Sequence, residues 1–456
     1  MRKTSFALAL LTAAVLSACG GSSSTAPRAG NQTPVTKFTN EVTFGDSLSD
    51  VGTYAVGAVA QLGGGKYTIN GNNTSIDPEL TGKIWTEVVA AQLSLPAQCA
   101  AQTGLTGDAS KGLAVPVTFH ATCYNYAQGG SRVSDPVGPG NFAAGSALGA
   151  TTVPVVTQIA NHLAKAGGKF TGTELVTILA GGNDVLAQLT ALETAAAAAG
   201  QTAGAKSFSS SLVSQLAAGA PNPATAAQSI CLAVQTAAAS GAATADIVKA
   251  AVTAAVMAGN TAAAQPGVYG PMVATAQTAA TTAGQTAGAA YATAQGPALV
   301  TALGTAGATM AAAIKSQIVA KGAKYVVVAA LPDVASSPVA KAESADTQKL
   351  VAAMVDAFNK QLVAGIGTDP AILYVDLYKI SHDQVTNPAP YGLTNTSTPA
   401  CGANALGTTS LVCNKTNVIA GDVSHYMFAD DIHPTPFENS LVARYVLEQM
   451  AVKGWL

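Results

Sequence analysis

Short apolar runs recur along the chain and alternate with stretches of helical pattern. The runs that we interpret as strands are EVTFG, CYNYAQ, LVTILA, KYVVVAAL and ILYVDL, which begin at residues 41, 123, 175, 324 and 372. Near-continuous apolar strands separated by helices are typical of a parallel sheet covered on both faces. We therefore predict an α/β fold whose ligand site lies beyond the carboxyl ends of the strands.

Three of these strand ends carry residues that can donate hydrogen bonds into one crevice. Ser47 follows the glycine that ends the first run, Gly130 follows the second, and Asn183 follows the third. Taken alone, Ser47 is better explained as a helix N-cap, because serine and aspartate cap helices wherever a strand hands over to one. The coincidence of three such ends instead favours a site in which Ser47 sits on a sharp strand-to-helix corner.

The segment ADDIHPTPF near the C-terminus supplies a carboxylate and an imidazole. Asp430 stands three residues before His433, and Pro434 biases His433 away from helical geometry, so we predict a loop there. In such a loop His433 can act as the base that a serine hydroxyl needs, while the carboxylate holds its tautomer. The alternative is a surface loop that merely caps a final helix, predicted over residues 437–450.

Composition narrows the class of protein. The 456 residues carry a net charge of −2, which offers no basic surface for nucleic acid, so no nucleic-acid partner is expected. The length favours one large domain with an insertion. After the N-terminal run no segment reaches about 18 uninterrupted apolar residues, so no internal membrane span is predicted.

The insertion is predicted over residues 185–316, which are rich in Ala, Thr, Gly and Gln. Alanine favours long helices, with breaks expected at Gly200, at Gly219 with Pro221, and at Pro266. The sequence GQTAGA occurs at Gly200 and again at Gly284, which in such a composition is better explained by chance than by internal duplication. A mainly helical cap beside the site is therefore expected, and a disordered linker is the alternative.

The N-terminus has the pattern of an exported protein. Two basic residues precede an apolar run at residues 6–15, which predicts a signal peptide over residues 1–18. The run ends in LSAC, which resembles the lipobox of bacterial lipoproteins. That resemblance implies lipidation of Cys19, a flexible linker over residues 19–37 and a membrane anchor. Because no acidic residue follows Cys19, an outer-membrane lipoprotein is expected if the cell is Gram-negative. A secreted protein is the alternative.

Six cysteines fit an oxidising compartment. With Cys19 committed to lipid, the simplest pairing joins Cys99 to Cys123 and Cys401 to Cys413. Cys231 then remains, expected as a buried thiol in an Ala-rich helix. The sequence alone does not fix this connectivity. No C-x-x-C pair is present, so a zinc site is not predicted.

Four stretches now carry a family resemblance. FGDSLSD, NYAQGGS, GGND and DDIHP occur in this order and resemble the four sequence blocks of SGNH/GDSL esterases and lipases. The resemblance covers almost everything from about residue 40 to 456 except for the insertion, and the hydrolase domain is predicted over residues 38–456. It implies a three-layer α/β/α, SGNH hydrolase-like domain with a parallel, flavodoxin-like central sheet, to which the Ala-rich, mainly helical insertion is added.

The same resemblance implies roles for five residues. Ser47 would be the nucleophile, His433 the general base and later the general acid, and Asp430 the orienting carboxylate. The oxyanion hole would consist of the backbone N–H groups of Ser47 and Gly130 and the side-chain amide of Asn183. No metal and no organic cofactor is implied.

The expected function is that of a serine esterase or lipase that hydrolyses carboxylic esters through an acyl-enzyme on Ser47. The blocks look most similar to the lipase and phospholipase-like branch of the family, so lipid or short-chain acyl esters are the expected substrates. An acyltransferase or phospholipase of the same family and a catalytically silent, surface-anchored binding protein are the alternatives. A monomer is expected.

Overall fold

The computed structural model describes residues 35–71, 81–140, 146, 148–150 and 152–456. The predicted signal peptide, the lipidation site Cys19 and the linker up to residue 34 lie outside the described residues. These three predictions therefore stay predictions.

The described strands form one parallel sheet and one antiparallel pair. In chain order they are β1 (Glu41–Gly45), β2 (Gln102–Thr106), β3 (Ala114–Phe119), β4 (Leu175–Leu179), β5 (Tyr325–Ala329) and β6 (Ile372–Val375). Strands β1, β4, β5 and β6 lie side by side in this order, all parallel, and β2 pairs with β3. The predicted α/β fold with a parallel sheet is confirmed.

The run CYNYAQ does not form the full strand that its pattern predicts. Asn125 makes a single parallel bridge to Thr43 of β1, through the Tyr126 N–H to the Thr43 carbonyl at 2.8 Å and the Thr43 N–H to the Tyr124 carbonyl at 3.1 Å. On its other side Asn125 bridges Ala100. The segment thus occupies the place of a fifth strand beside β1. One more hydrogen bond follows, from the Gln128 N–H to the Gly45 carbonyl at 3.1 Å, but the Gly45 N–H donates to the Gln158 side chain instead of continuing the ladder.

Helices cover both faces of the sheet. Their bounds are α1 (Gly57–Gln61), α2 (Trp85–Gln92), α3 (Val155–Lys165), α4 (Gly182–Ala218), α5 (Pro223–Ala239), α6 (Thr244–Met257), α7 (Pro266–Ala313), α8 (Pro338–Lys341), α9 (Ala345–Ile366), α10 (Leu377–Thr386) and α11 (Pro436–Val452). Alternate strand residues point to opposite faces. One set packs with α3, α7 and α9, and the other with α2 and α11. This layering explains why the strands are apolar on both sides.

The segment over residues 185–316 is helical for most of its length, in α4 to α7. Gly200 lies inside α4 and does not break it. A Cβ on Gly200 would come within 2.8 Å of the Gly284 carbonyl oxygen, and one on Gly284 within 3.0 Å of the Gly200 carbonyl oxygen. The two GQTAGA copies therefore face each other where α4 and α7 pack closely. Gly219 ends α4 and Pro266 begins α7, as the pattern predicts.

Among the described residues, the segment Pro266–Lys321 is long and apolar enough to cross a membrane by length and composition alone. In this fold its second half packs onto the sheet, where Leu303 and Met310 are buried beside Phe358 of α9. Burial of this kind is also typical of a core helix in a globular domain. The expectation that no internal segment spans a membrane stays a prediction.

Candidate active site

Ser47 lies on a tightly held turn that follows β1. The side chain of Gln158 in α3 accepts a hydrogen bond from the Gly45 N–H at 2.9 Å and donates one to the Gly45 carbonyl at 2.8 Å. A Cβ on Gly45 would lie 2.4 Å from the Leu179 carbonyl oxygen, so only glycine allows β1 to end this close to β4. The carboxylate of Asp46 accepts the Leu48 N–H at 3.1 Å. The turn is thereby fixed on both sides of the serine.

Ser47, His433 and Asp430 form one continuous hydrogen-bonded chain. Ser47 Oγ lies 2.8 Å from His433 Nε2. On the other side of the ring, His433 Nδ1 lies 2.9 Å and 2.8 Å from the two carboxylate oxygens of Asp430. Since a carboxylate can only accept, it selects the tautomer with the proton on Nδ1 and leaves Nε2 to accept the serine proton. This is the arrangement that serine hydrolases use on several unrelated folds.

The loop between α10 and α11 positions Asp430 through its own backbone. Asp430 Oδ1 accepts the N–H groups of Ile432 at 3.0 Å and His433 at 2.7 Å, and Oδ2 accepts the Ser410 N–H at 2.7 Å. The residue is 2% exposed. Asp431, in contrast, is exposed, and its recorded bond is a backbone one, from the Val339 N–H to its carbonyl. The fold thus brings Asp430, and not its neighbour, to the imidazole.

Burial and mutual attraction set the charge states of this pair. Burial raises the pKa of Asp430, but the charge and hydrogen bonds of His433, with the Ser410 N–H, outweigh it and hold the pKa well below its usual range. For His433, burial lowers the pKa, and the charge and hydrogen bond of Asp430 raise it more, so the pKa lies above its ordinary value. The pair favours a carboxylate beside an imidazole that is more basic than an ordinary histidine.

Two N–H groups at the site have no acceptor among the residues that the structure describes. Within the described part of the chain, the backbone N–H groups of Ser47 and Gly130 donate to no other atom. The neighbouring Gly129 N–H donates to the Asp50 carboxylate at 2.9 Å. Of these two adjacent glycines, therefore, only Gly130 has an N–H group available to a ligand. Gly130 has φ +82°, a conformation that favours glycine. Both uncommitted donors are suited to bind a developing negative charge.

Asn183 is the second residue of α4, two positions after Gly181, which adopts φ +119°. Its side-chain nitrogen donates to the Ser131 carbonyl at 3.0 Å, a bond that ties the end of β4 to the glycine loop. An amide nitrogen has two hydrogens, so one remains for a ligand. Ser47, Gly130, Asn183 and His433 all line one cavity, so the structure brings the predicted site residues together.

That cavity has a volume of about 570 Å³ and a mostly apolar wall. Apolar side chains around the serine include Leu48, Leu113, Leu186, Val334, Phe428 and Ile432. A pocket with a few convergent polar groups in an apolar wall is the usual form of a small-molecule site. Among the described residues no cluster of three or more His, Cys, Asp or Glu side chains is placed to hold a metal ion.

Two buried carboxylates that the sequence analysis assigned no role hold the loops of the site. Asp50 accepts the N–H groups of Gly52 and Thr53 with one oxygen and the Gly129 N–H with the other. The sequence contains a sign of this role, because Asp50 is the last residue of the FGDSLSD motif. Gly129 lies far along the chain from Asp50, however, so the sequence does not reveal that contact.

Asp184 plays a similar part on the other side of the glycine loop. It accepts Arg132 Nε at 3.1 Å and the Val133 N–H at 2.9 Å. The GGND stretch contains this residue next to Asn183. The bonds therefore hold the loop after Gly130 against the start of α4.

Tyr67 is a site residue that no motif indicated. Its ring centroid lies 4.7 Å from that of His433, and the two rings are tilted by 34°. A Cβ on Gly129 would lie 2.3 Å from this ring, so the glycine makes room for it. The tyrosine covers one face of the imidazole and limits its movement.

Both predicted disulfides are present. Cys99 is bonded to Cys123, beside the segment that bridges β1, and Cys401 is bonded to Cys413, close to the Ser410 that supports Asp430. Cys231 is free, as expected, but it is partly exposed rather than buried. It lies in helix α5, whose buried residues are confined to one side.

Comparison with known sequences finds proteins named as GDSL esterase/lipases. The chain is similar to three proteins of Arabidopsis thaliana. It is 29% identical to GDSL esterase/lipase APG over 144 residues, which are 29% of this chain and 41% of the relative. It is 33% identical to GDSL esterase/lipase At2g40250 over 79 residues, 17% of this chain and 22% of the relative. It is 34% identical to GDSL esterase/lipase At1g06990 over 83 residues, 18% of this chain and 23% of the relative.

The matches thus span less than half of each of these relatives. No protein-family profile matches the chain. Several partial matches at about 30% identity nevertheless agree with one another and support the GDSL family. These relatives are plant proteins, so they say nothing about a bacterial lipoprotein branch.

Proposed function

We propose that the protein is a serine hydrolase of carboxylic esters with an SGNH-type site. The observation that carries this proposal is the 2.8 Å contact of Ser47 Oγ with His433 Nε2, backed by the buried Asp430, at the wall of an apolar cavity. The partial similarity to GDSL esterase/lipases supports the same class.

In this proposal Ser47 attacks the ester carbonyl carbon while His433 Nε2 accepts the hydroxyl proton. The carbonyl oxygen becomes an oxyanion, which the N–H groups of Ser47 and Gly130 and the Asn183 amide stabilise. The C–O bond to the alcohol then breaks, and His433 returns the proton to the leaving oxygen. Water, activated by the same imidazole, hydrolyses the acyl-enzyme and restores Ser47.

The order of the sheet supports the finer fold assignment. With the bridge at Asn125 counted as a second strand, the spatial order is that bridge, β1, β4, β5, β6, which corresponds to the flavodoxin-like order 2-1-3-4-5. We propose a three-layer hydrolase domain over residues 38–456 and, within it, an insertion over residues 185–316. The long contact between α4 and α7 is consistent with a helical cap that extends from the site.

Export and anchoring are a separate part of the proposal. The two disulfides are consistent with an oxidising compartment. We propose a lipoprotein of a bacterial outer membrane, anchored through Cys19, with a secreted protein as the alternative. Cys19→Ser should abolish detergent-phase partitioning and leave ester hydrolysis by the folded domain intact. Partitioning that persists in this variant would contradict the lipidation.

Lipid or short-chain acyl esters are the proposed substrates, because the cavity wall is apolar. The test is hydrolysis of a chromogenic ester series by the wild type and by Ser47→Ala. Turnover by the wild type alone supports the proposal, and equal turnover by both excludes the nucleophile. No turnover by either, with both proteins folded, would favour the binding protein. Release of ester product when an alcohol replaces water would identify the acyltransferase.

A further inference from the structure

A second, smaller cavity lies beside the one at Ser47. It has a volume of about 70 Å³ and reaches towards Trp85, Leu377 and Val442 on the side of α2, α10 and α11. We call it the inner cavity and the larger one the outer cavity. Residues that border both are Leu48, Pro332, Ser381, Met427, Phe428 and Ile432. These residues therefore separate the two spaces.

Two of these residues adjoin the reacting groups directly. Leu48 follows Ser47 in the chain, and Ile432 precedes His433. Leu48 packs with the apolar cluster on one face of the sheet and Ile432 with the cluster on the other. Any ester bound with its carbonyl carbon at Ser47 Oγ must have a substituent that starts within a few ångströms of these side chains. The two apolar residues thus stand where an aliphatic chain would pass.

Two polar side chains, those of Gln384 and Glu438, also line the inner cavity. Gln384 Nε2 donates to Glu438 Oε2 at 3.2 Å, and both residues are buried. Gln384 Oε1 has no hydrogen-bond partner among the described residues. Burial raises the pKa of Glu438 to about 8, so its carboxyl group is largely neutral at pH 7. A hydrocarbon chain gains nothing against an unpaired carbonyl, so this pair limits how far such a chain can extend.

We propose that Leu48 and Ile432 determine the length of the aliphatic chain that the site accepts, by closing the outer cavity off from the inner one. This inference rests on the proposed ester hydrolysis. It adds to that proposal two residues that determine substrate specificity, and it places the limit on chain length at Gln384. We call Leu48 and Ile432 the partition. Shortening either side chain should let a longer aliphatic chain enter the inner cavity. Each additional buried methylene should then raise kcat/KM roughly fourfold, the factor that corresponds to about 0.8 kcal/mol.

The test compares Ile432→Ala and Leu48→Ala with the wild type on two ester series. One series lengthens the acyl chain of p-nitrophenyl esters, and the other lengthens the alcohol of acetate esters. The chain-length optimum should move to longer chains in one of the series in both variants. The series that moves identifies which chain of the substrate faces the partition. Because each variant changes a different loop, one of them can fail to fold without removing the test.

Two further variants serve as controls. Ile380→Ala removes the same carbon atoms from the inner cavity alone, since Ile380 borders only that cavity, and should leave the optimum unchanged. Adding Val442→Phe to Ile432→Ala refills the inner cavity and should restore the wild-type optimum. If the wild type hydrolyses esters but no partition variant changes its chain-length preference, the inference is wrong. If the folded wild type hydrolyses no ester, the proposed function itself fails, and this inference with it.

Discussion

Replacing Asp430 by asparagine removes one negative charge from the hydrogen-bonded series Ser47–His433–Asp430. The volume of the side chain hardly changes. The carboxylate accepts His433 Nδ1 with both oxygens, at 2.9 and 2.8 Å, and is 2% exposed, so it lies out of contact with bulk solvent. An amide loses the attraction to the imidazolium and allows the wrong tautomer. The same change in a serine triad lowers kcat about 10,000-fold, equivalent to about 5 kcal/mol, and we expect a loss approaching that size.

Asp431→Asn is the matched control, because it makes the same chemical change one residue away. Asp431 is exposed and its recorded hydrogen bond uses the backbone carbonyl, which asparagine retains. We expect a change of less than about tenfold, since the residue influences His433 only through its charge. The assay is kcat/KM for a p-nitrophenyl ester over a range of pH, on variants whose circular dichroism matches the wild type. A larger loss in Asp431→Asn than in Asp430→Asn would refute the assignment.

Three more predictions concern the site and its support. Asn183→Ala should lower kcat by about 100- to 1,000-fold with little change in KM, as removal of one oxyanion donor does; an unchanged kcat would exclude this role. The pKa of His433 lies above its ordinary value of 6.5, because the charge of Asp430 outweighs the effect of burial. Since His433 must be neutral to accept a proton, kcat/KM should increase with pH through a pKa above 6.5, and a profile that falls over that interval would contradict this. Changing both Cys401 and Cys413 to serine opens a loop of sequence separation 12, which should lower the free energy of unfolding by about 3 kcal/mol in a urea titration. Cys231→Ser should lower it much less, and equal losses would show that the disulfide contributes nothing specific.

The apolar runs predicted most of the sheet, because parallel strands that are buried on both faces consist almost entirely of apolar residues. Four of the five runs are strands, and the final helix predicted over residues 437–450 is observed as α11, Pro436–Val452. The run at Asn125 has the same composition but forms one bridge only. The ladder to β1 is interrupted at Gly45, whose N–H donates to the Gln158 side chain, and hydrophobicity does not reveal that contact.

In the insertion over residues 185–316, glycine does not have the effect on the helix that its propensity predicts. Glycine usually lowers helix propensity, so Gly200 was predicted to be a break. Instead it permits the close approach of α4 and α7, a tertiary effect that outweighs the local cost. The match between Gly200 and Gly284 in the sequence was visible, but only the structure shows that the two copies lie against each other.

Within the site, local motifs identified the residues that face the cavity, and tertiary contacts add the residues that hold them. Asp50 and Asp184 lie inside quoted motifs, yet their partners come from the glycine loop. Tyr67 belongs to no motif, and it reaches His433 only because Gly129 leaves space for its ring. Contacts between residues so distant in sequence cannot be inferred from one chain.

The central claim is that Ser47 is the nucleophile, and covalent labelling tests it most directly. An alkyl p-nitrophenyl phosphonate reacts with an activated serine and releases one p-nitrophenol. We expect one adduct per chain, located on Ser47 by peptide mass mapping, with loss of ester hydrolysis in parallel and no adduct in Ser47→Ala. An adduct on another residue that abolishes turnover, or full labelling of Ser47→Ala, would contradict it.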